Sequence, residues 1–193
     1  MSTATENWLD DHIFPQLGSL LLNDAYFKLV RSVSEITQRY IEPIGNIVVV
    51  GYVTYQMMGI RRLYDDRRDA ISLRRLLMGT SIPKQTELLQ KLAVCKVICD
   101  RADDHIAHTG NPARRPQITD WNLTDDDLTN AHKSLSEVAI ALERSRAKPK
   151  GYVRIIPEAT TLNMLEFNLS APDTKKLWDF WHAHNDTVNA WIR

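Results

Sequence analysis

Several kinds of protein are excluded by what this chain has little of. It holds two cysteines, Cys95 and Cys99, one helical turn apart, so no disulfide framework can be built and a reducing compartment suits it. A cysteine-type metal site needs a second ligand pair, and the chain has none at such spacing. Excess charge of either sign is missing as well. With 24 basic and 24 acidic residues the formal charge is zero, so bulk electrostatics do not draw the chain to nucleic acid or to an anionic membrane, and any RNA contact must come from local patches. The longest apolar run, Ile47 to Ile60, is interrupted by Gln56 and falls short of the roughly 20 residues that a membrane helix requires. The opening Met-Ser-Thr-Ala-Thr-Glu puts no basic region before an apolar one, so it does not read as a secretory signal, and a cytoplasmic, non-membrane protein is expected. No Gly-x-x-x-x-Gly-Lys-Ser/Thr loop is present for a nucleotide phosphate. Repeats and low-complexity tracts are absent.

What remains is a chain of 193 residues, 44% apolar, able to bury a sizeable core as one domain over 1–193. Its apolar residues keep mostly helical spacing. Leu9, Ile13, Leu17, Leu20 and Leu21 share one side of a helix over 6–22, which Pro15 is expected to kink or split. Asn23 and Asp24 are expected to cap a second helix, about 24–41, and Pro43 and Gly45 punctuate the chain after it. Ile47-Val48-Val49-Val50-Gly51-Tyr52-Val53 is strand-like by propensity. The run continues through Met57, Met58 and Ile60 into Arg61-Arg62, too long for a buried strand, so a helix is expected there.

Further along, Ser81-Ile82-Pro83 opens one long helix expected over 84–108, which Gly110 and Pro112 close. A polar loop is expected over 111–123. Thr124 and three aspartates then start a helix reaching about Arg146, the carboxylates suiting the positive end of its dipole. Arg144, Arg146, Lys148, Lys150 and Arg154 form a basic cluster, Tyr152–Ile156 reads as an extended piece, and a short helix is expected over 158–168. The last helix, about 173–192, aligns Leu177, Trp181, His184, Val188 and Trp191 as an aromatic stripe for packing, with a partner surface as the second use. His184 reads as a core histidine.

The chemistry concentrates in Asp100-Arg101-Ala102-Asp103-Asp104-His105-Ile106-Ala107-His108-Thr109-Gly110. At about 100° per residue, Leu88, Leu92, Cys95, Cys99, Ala102 and Ile106 fall on one buried line, while Val94, Val97, Arg101, His105 and His108 fall on the far side. Arg101 and His108 are two turns apart, roughly 10 Å of rise, on a line that begins in valines. Asp104 lies one turn from both and is placed to orient the imidazole and raise its pKa. Asp104, His105 and His108 suit zinc by residue type, but no further ligand cluster has metal spacing, so no metal and no cofactor are expected. The plain alternative is a surface ion pair of Arg101 with Asp104, and His108 as a cation favoured near a helix C-terminus. Upstream, residues 61–75 hold six arginines against three aspartates. One reading is a solvated corner laced with ion pairs, and the sharper one is a phosphate-positioning patch of Arg61, Arg62, Arg67 and Arg68, since guanidinium groups fork onto phosphate oxygens.

The spacing of Arg101 and His108, with His-Thr-Gly at its end, resembles the Arg-x(4–6)-His signature of the HEPN superfamily. The segment from Gly59 to Leu77, with Arg-Leu-Tyr-Asp and Ser-Leu-Arg-Arg-Leu-Leu, is similar to the corresponding region of the abortive-infection AbiU-type branch. The likeness covers about 20–145 and leaves a C-terminal extension over about 147–193. It departs at Ala102, where the family commonly has a polar residue. The resemblance implies an all-α, up-and-down bundle of about six to seven helices with an additional C-terminal helix. It implies a metal-independent endoribonuclease of phage-defence or toxin–antitoxin type acting on single-stranded RNA, with Arg101, Asp104, His105 and His108 as the catalytic candidates. It further implies a homodimer that packs two motif helices across a cleft, for which Val94 and Val97 supply an apolar seam, and an antitoxin or regulatory protein as partner. A catalytically silent HEPN-like module that binds RNA or protein is the second reading, and a helical adaptor using the Trp-rich last helix is the third.

Overall fold

The apolar period of the first helix runs straight through its proline. In a computed structural model, which describes residues 7–37, 42–103, 123–146, 149 and 171–191, a π-helical turn over Leu9–Ile13 leads directly into α1, Phe14–Thr37. The Phe14 N–H reaches back to the Leu9 carbonyl, five residues earlier, and this widened turn accommodates Pro15, which has no N–H to give. Pro15 therefore does not split the helix. Asn23 and Asp24 are likewise interior positions of α1 rather than a cap, because the Asp24 carboxylate bonds to side chains of its own and neighbouring helices instead of to backbone N–H groups.

The Val-rich segment is helical, within α2, Glu42–Tyr64, and Gly45 lies inside it. Strand propensity loses here to burial: Tyr52, Gln56, Met57, Ile60 and Leu63 repeat at helical spacing, and all are buried. Ser72 caps α3, Leu73–Met78, by accepting the Arg75 N–H at 3.1 Å. The expected helix over 84–108 is found as two pieces, α4, Gln85–Leu92, and α5, Cys95–Ala102. Between them the chain tightens: Ala93 bonds Gln90 at 3.1 Å and Lys96 bonds Ala93 at 3.0 Å, each three residues back. Such a turn eclipses positions three apart, and it stacks Leu92 and Cys95, both fully buried, on the same line. Thr124 opens α6, Asp125–Arg144, with a full capping box to Asp127. Helix α7 spans Ala171–Ala190.

Among the described residues every regular element is a helix, and none is long and apolar enough to cross a membrane. The architecture is an all-α bundle, as expected, with seven α-helices among the described residues. Helix α2 packs against α5 on one side and α1 on another, α7 lies on α1 through Leu177, Trp181 and Val188, and α6 closes the bundle by touching α1 to α4. The extended piece over 152–156 and the short helix over 158–168 lie outside the described residues.

Candidate functional site

Helix α5 carries the motif arginine on the side that the helical wheel assigns. Leu92, Cys95, Cys99 and Ala102 are buried, whereas Val94 and Val97 are 44% and 53% exposed, an apolar strip leading to Arg101 in the last turn. Arg101 itself is half-buried, and its Nη1 is out of contact with water and has no hydrogen-bond partner among the described residues. A guanidinium N–H in that position is costly until an acceptor reaches it, so it is a donor held ready for one. The three other catalytic candidates, Asp104, His105 and His108, lie outside the described residues.

Arg61 is brought to the end of the same helix, on the side away from Arg101. Its Nε donates to Asp103 at the end of α5, tying the last turn of α2 to the residue just after Ala102. Around that pair lies a cavity of about 310 Å³ between the end of α2, the 65–72 connection and α5. Arg67 binds Asp65 at 2.8 Å, Arg74 faces Asp66 at 3.4 Å, and Lys96 binds Asp100 at 2.6 Å. Arg74 also lies 4.6 Å above the Tyr64 ring. Four cations (Arg61, Arg67, Arg74, Lys96) thus meet four carboxylates (Asp65, Asp66, Asp100, Asp103), which sum to zero charge. Burial acts to raise the Asp65 carboxyl, but its bonds from Arg67 outweigh that and hold it below the usual carboxylate range. Arg62 and Arg68, by contrast, are exposed and form no ion pair among the described residues. Of the four proposed phosphate contacts, two are neutralised and two face solvent.

Both thiols are unsuited to nucleophilic work. Burial, with Asp103 and Asp100 nearby, pushes Cys99 up to about 12, and burial raises Cys95 as well.

A second polar cluster went unseen in the sequence. Asp24 is buried where α1, α2, α6 and α7 meet. It accepts from the Tyr52 hydroxyl at 2.5 Å and from Lys28 Nζ at 2.9 Å, while His184 Nε2 and His132 Nδ1 stand 3.7 and 3.9 Å from its Oδ2. Gln56 donates to the Leu20 carbonyl and to Asn23 Oδ1, which turns its own oxygen toward His132 Nε2 at 2.8 Å. Since that oxygen only accepts, the proton of neutral His132 belongs on Nε2. Burial, reinforced by Lys28 and His184 against the pull of Asp24, pushes His132 down to about 4, and burial lowers His184 too. Burial acts to raise Asp24, but His132, Lys28 and Tyr52 together hold it below its ordinary value. Among the described residues no group of three or more His, Cys, Asp or Glu is arranged to hold a metal ion. The cluster joins four helices and is structural. Its one signal in the sequence was Gln56, a polar residue inside an apolar run.

Compared with known proteins, the chain matches no family model, no curated protein and no solved structure.

Proposed function

We propose that this helical domain is a metal-independent endoribonuclease of the HEPN type, working on single-stranded RNA in a defence or toxin–antitoxin role. The observation that carries the reading is Arg101: a cation at the end of α5, preceded by an exposed apolar strip, with a guanidinium N–H buried and without a partner among the described residues. RNA cleavage by internal attack removes a proton from the 2′-hydroxyl while negative charge grows on the phosphoryl oxygens. Arg101, permanently charged and fork-shaped, suits the developing charge. His108, two turns further along the motif, is assigned as the base. The 2′-oxygen bonds to phosphorus, the 5′-oxygen leaves, and the products are a 2′,3′-cyclic phosphate and a 5′-hydroxyl. A second copy, packed through Val94 and Val97, supplies the second Arg-His pair that protonates the leaving oxygen.

The neutral cavity favours one other reading, a catalytically silent module that binds RNA or protein, because a phosphate entering beside Arg61 has to displace Asp103. Incubating RNA with the pure protein in EDTA, beside Arg101→Ala and His108→Ala, decides between them. Cleavage by the wild type and its loss in both variants, with the fold unchanged by circular dichroism, supports the nuclease. Intact RNA with the wild type supports the silent module.

A further inference from the structure

Outside α5, exposed apolar surface gathers between α1 and α2. Tyr26, Phe27 and Val30 of α1 face Gly51, Tyr52 and Tyr55 of α2 across a groove of about 350 Å³ with no charged residue in its walls. Phe27 and Tyr52 form the inner side, their rings stacked at 3.7 Å and parallel to within 3°. Two further rings stand at the rim, Tyr26 at 39% and Tyr55 at 44% exposure, and both are braced. The Tyr55 hydroxyl shares a 2.6 Å hydrogen bond with Ser19, and the Tyr26 ring packs 5.6 Å from Trp181.

Gly51 adds a second observation. A glycine inside an exposed helix is costly relative to alanine, and here the described residues give no reason for it, since a Cβ would meet none of them within 4 Å. Gly59 on the same helix is the contrast: its Cβ would stand 2.3 Å from the Leu20 side chain. Among the described residues nothing fills the space above Gly51. Seven residues on from Tyr55, and so on the same face of α2, comes the exposed Arg62, with a rise between them of roughly 10 Å.

We propose that this groove is a nucleobase-stacking site for a single strand, the base lying against Tyr26 and Tyr55 above Gly51 and the adjoining phosphate turned toward Arg62. The proposal rests on the reading of the protein as one that acts on RNA, and deepens it by naming where the substrate is held away from the cleavage point. Rigid aromatic rings around one pocket of this size suit one planar heterocycle, whereas a docked helix needs a row of such pockets. Uncharged walls with a cation beyond them match the alternation of base and phosphate. Stacking of this kind tolerates any base, because every base has a π face.

The test is fluorescence anisotropy with labelled single-stranded DNA, which lacks the 2′-hydroxyl and is not cut, against an abasic strand of equal length. The intact strand is expected to bind about 10-fold more tightly than the abasic one. Tyr55→Ala and, separately, Gly51→Leu are each expected to weaken binding of the intact strand about 10-fold, leaving abasic binding and the salt slope unchanged. Gly51→Leu keeps every ring and raises helix propensity, so it fills the groove without threatening the fold. Equal affinity for intact and abasic strands, or intact-strand binding untouched by both variants, overturns the proposal. So does a loss of dimer on Gly51→Leu in sedimentation, which assigns the groove to a second copy. Base-dependent DNA binding without RNA cleavage overturns the nuclease reading alone, and cleavage without base dependence overturns the stacking site alone.

Discussion

Acidification from pH 7.5 to pH 5 should weaken this fold by about 2 kcal/mol through His132 alone. The ring is fully buried, and burial lowers its pKa from 6.5 to about 4. A base whose folded value lies below its unfolded value stabilises fully above the unfolded value. That contribution drains as pH falls from 6.5 toward 4, at about 1.4 kcal/mol per unit. Asp24, whose carboxyl is held below its ordinary 3.8, loses its own contribution only below that value, so the two windows separate. Urea unfolding at a series of pH values reads the effect directly. With a slope near 2 kcal/mol/M for a domain of this size, the midpoint should fall by about 1 M between pH 7.5 and 5. His132→Gln keeps a donor for the Gln56 oxygen and removes the titration, so its midpoint should fall markedly less, the remainder coming from His184. Parallel pH profiles for wild type and His132→Gln would refute the reasoning.

The two glycines of α2 should respond in opposite directions. Gly59→Ala drives a methyl onto Leu20 and is expected to destabilise by about 1–3 kcal/mol, while Gly51→Ala, with open space around it, should stabilise by about 0.5–1 kcal/mol; urea midpoints for the pair check both signs. Arg146, whose side chain is 3% exposed, forks onto Asp10 at 2.8 and 3.1 Å and binds Glu143 at 2.7 Å. Arg146→Ala leaves the buried Glu143 carboxylate without that charge and should cost about 3–5 kcal/mol in the same assay.

Where one face of a helix is apolar, the fold was legible. The core positions of α4 and α5 fall on the line drawn from sequence, Val94 and Val97 face outward, Thr124 and its aspartates open α6, and the length of the apolar run outweighed the strand propensity of Val48 to Val50. Local rules failed where a tertiary partner intervened. Asn23-Asp24 reads as a cap until Tyr52 and Lys28 are known to reach Asp24, and Pro15 reads as a break until the turn before it widens. The Asp24 cluster was invisible because its links are long: His132 and Gln56 lie 76 residues apart. His184, expected to be a satisfied core histidine, sits half-buried beside that carboxylate. Of the candidate site, the sequence supplied Arg101 and, separately, the arginine-rich corner that meets the end of α5 through Asp103. It did not supply the pairing, because which of nine charged groups between 61 and 75 meet one another depends on how α2 and α3 turn against α5.

The most direct measurement is the chemistry of the ends produced from a defined single-stranded RNA by the pure protein in excess EDTA. Fragments that carry a 2′,3′-cyclic phosphate and a 5′-hydroxyl are expected from the wild type, and none from Arg101→Ala. Fragments ending in a 3′-hydroxyl, cleavage that EDTA abolishes, or equal cleavage by Arg101→Ala would contradict the nuclease reading.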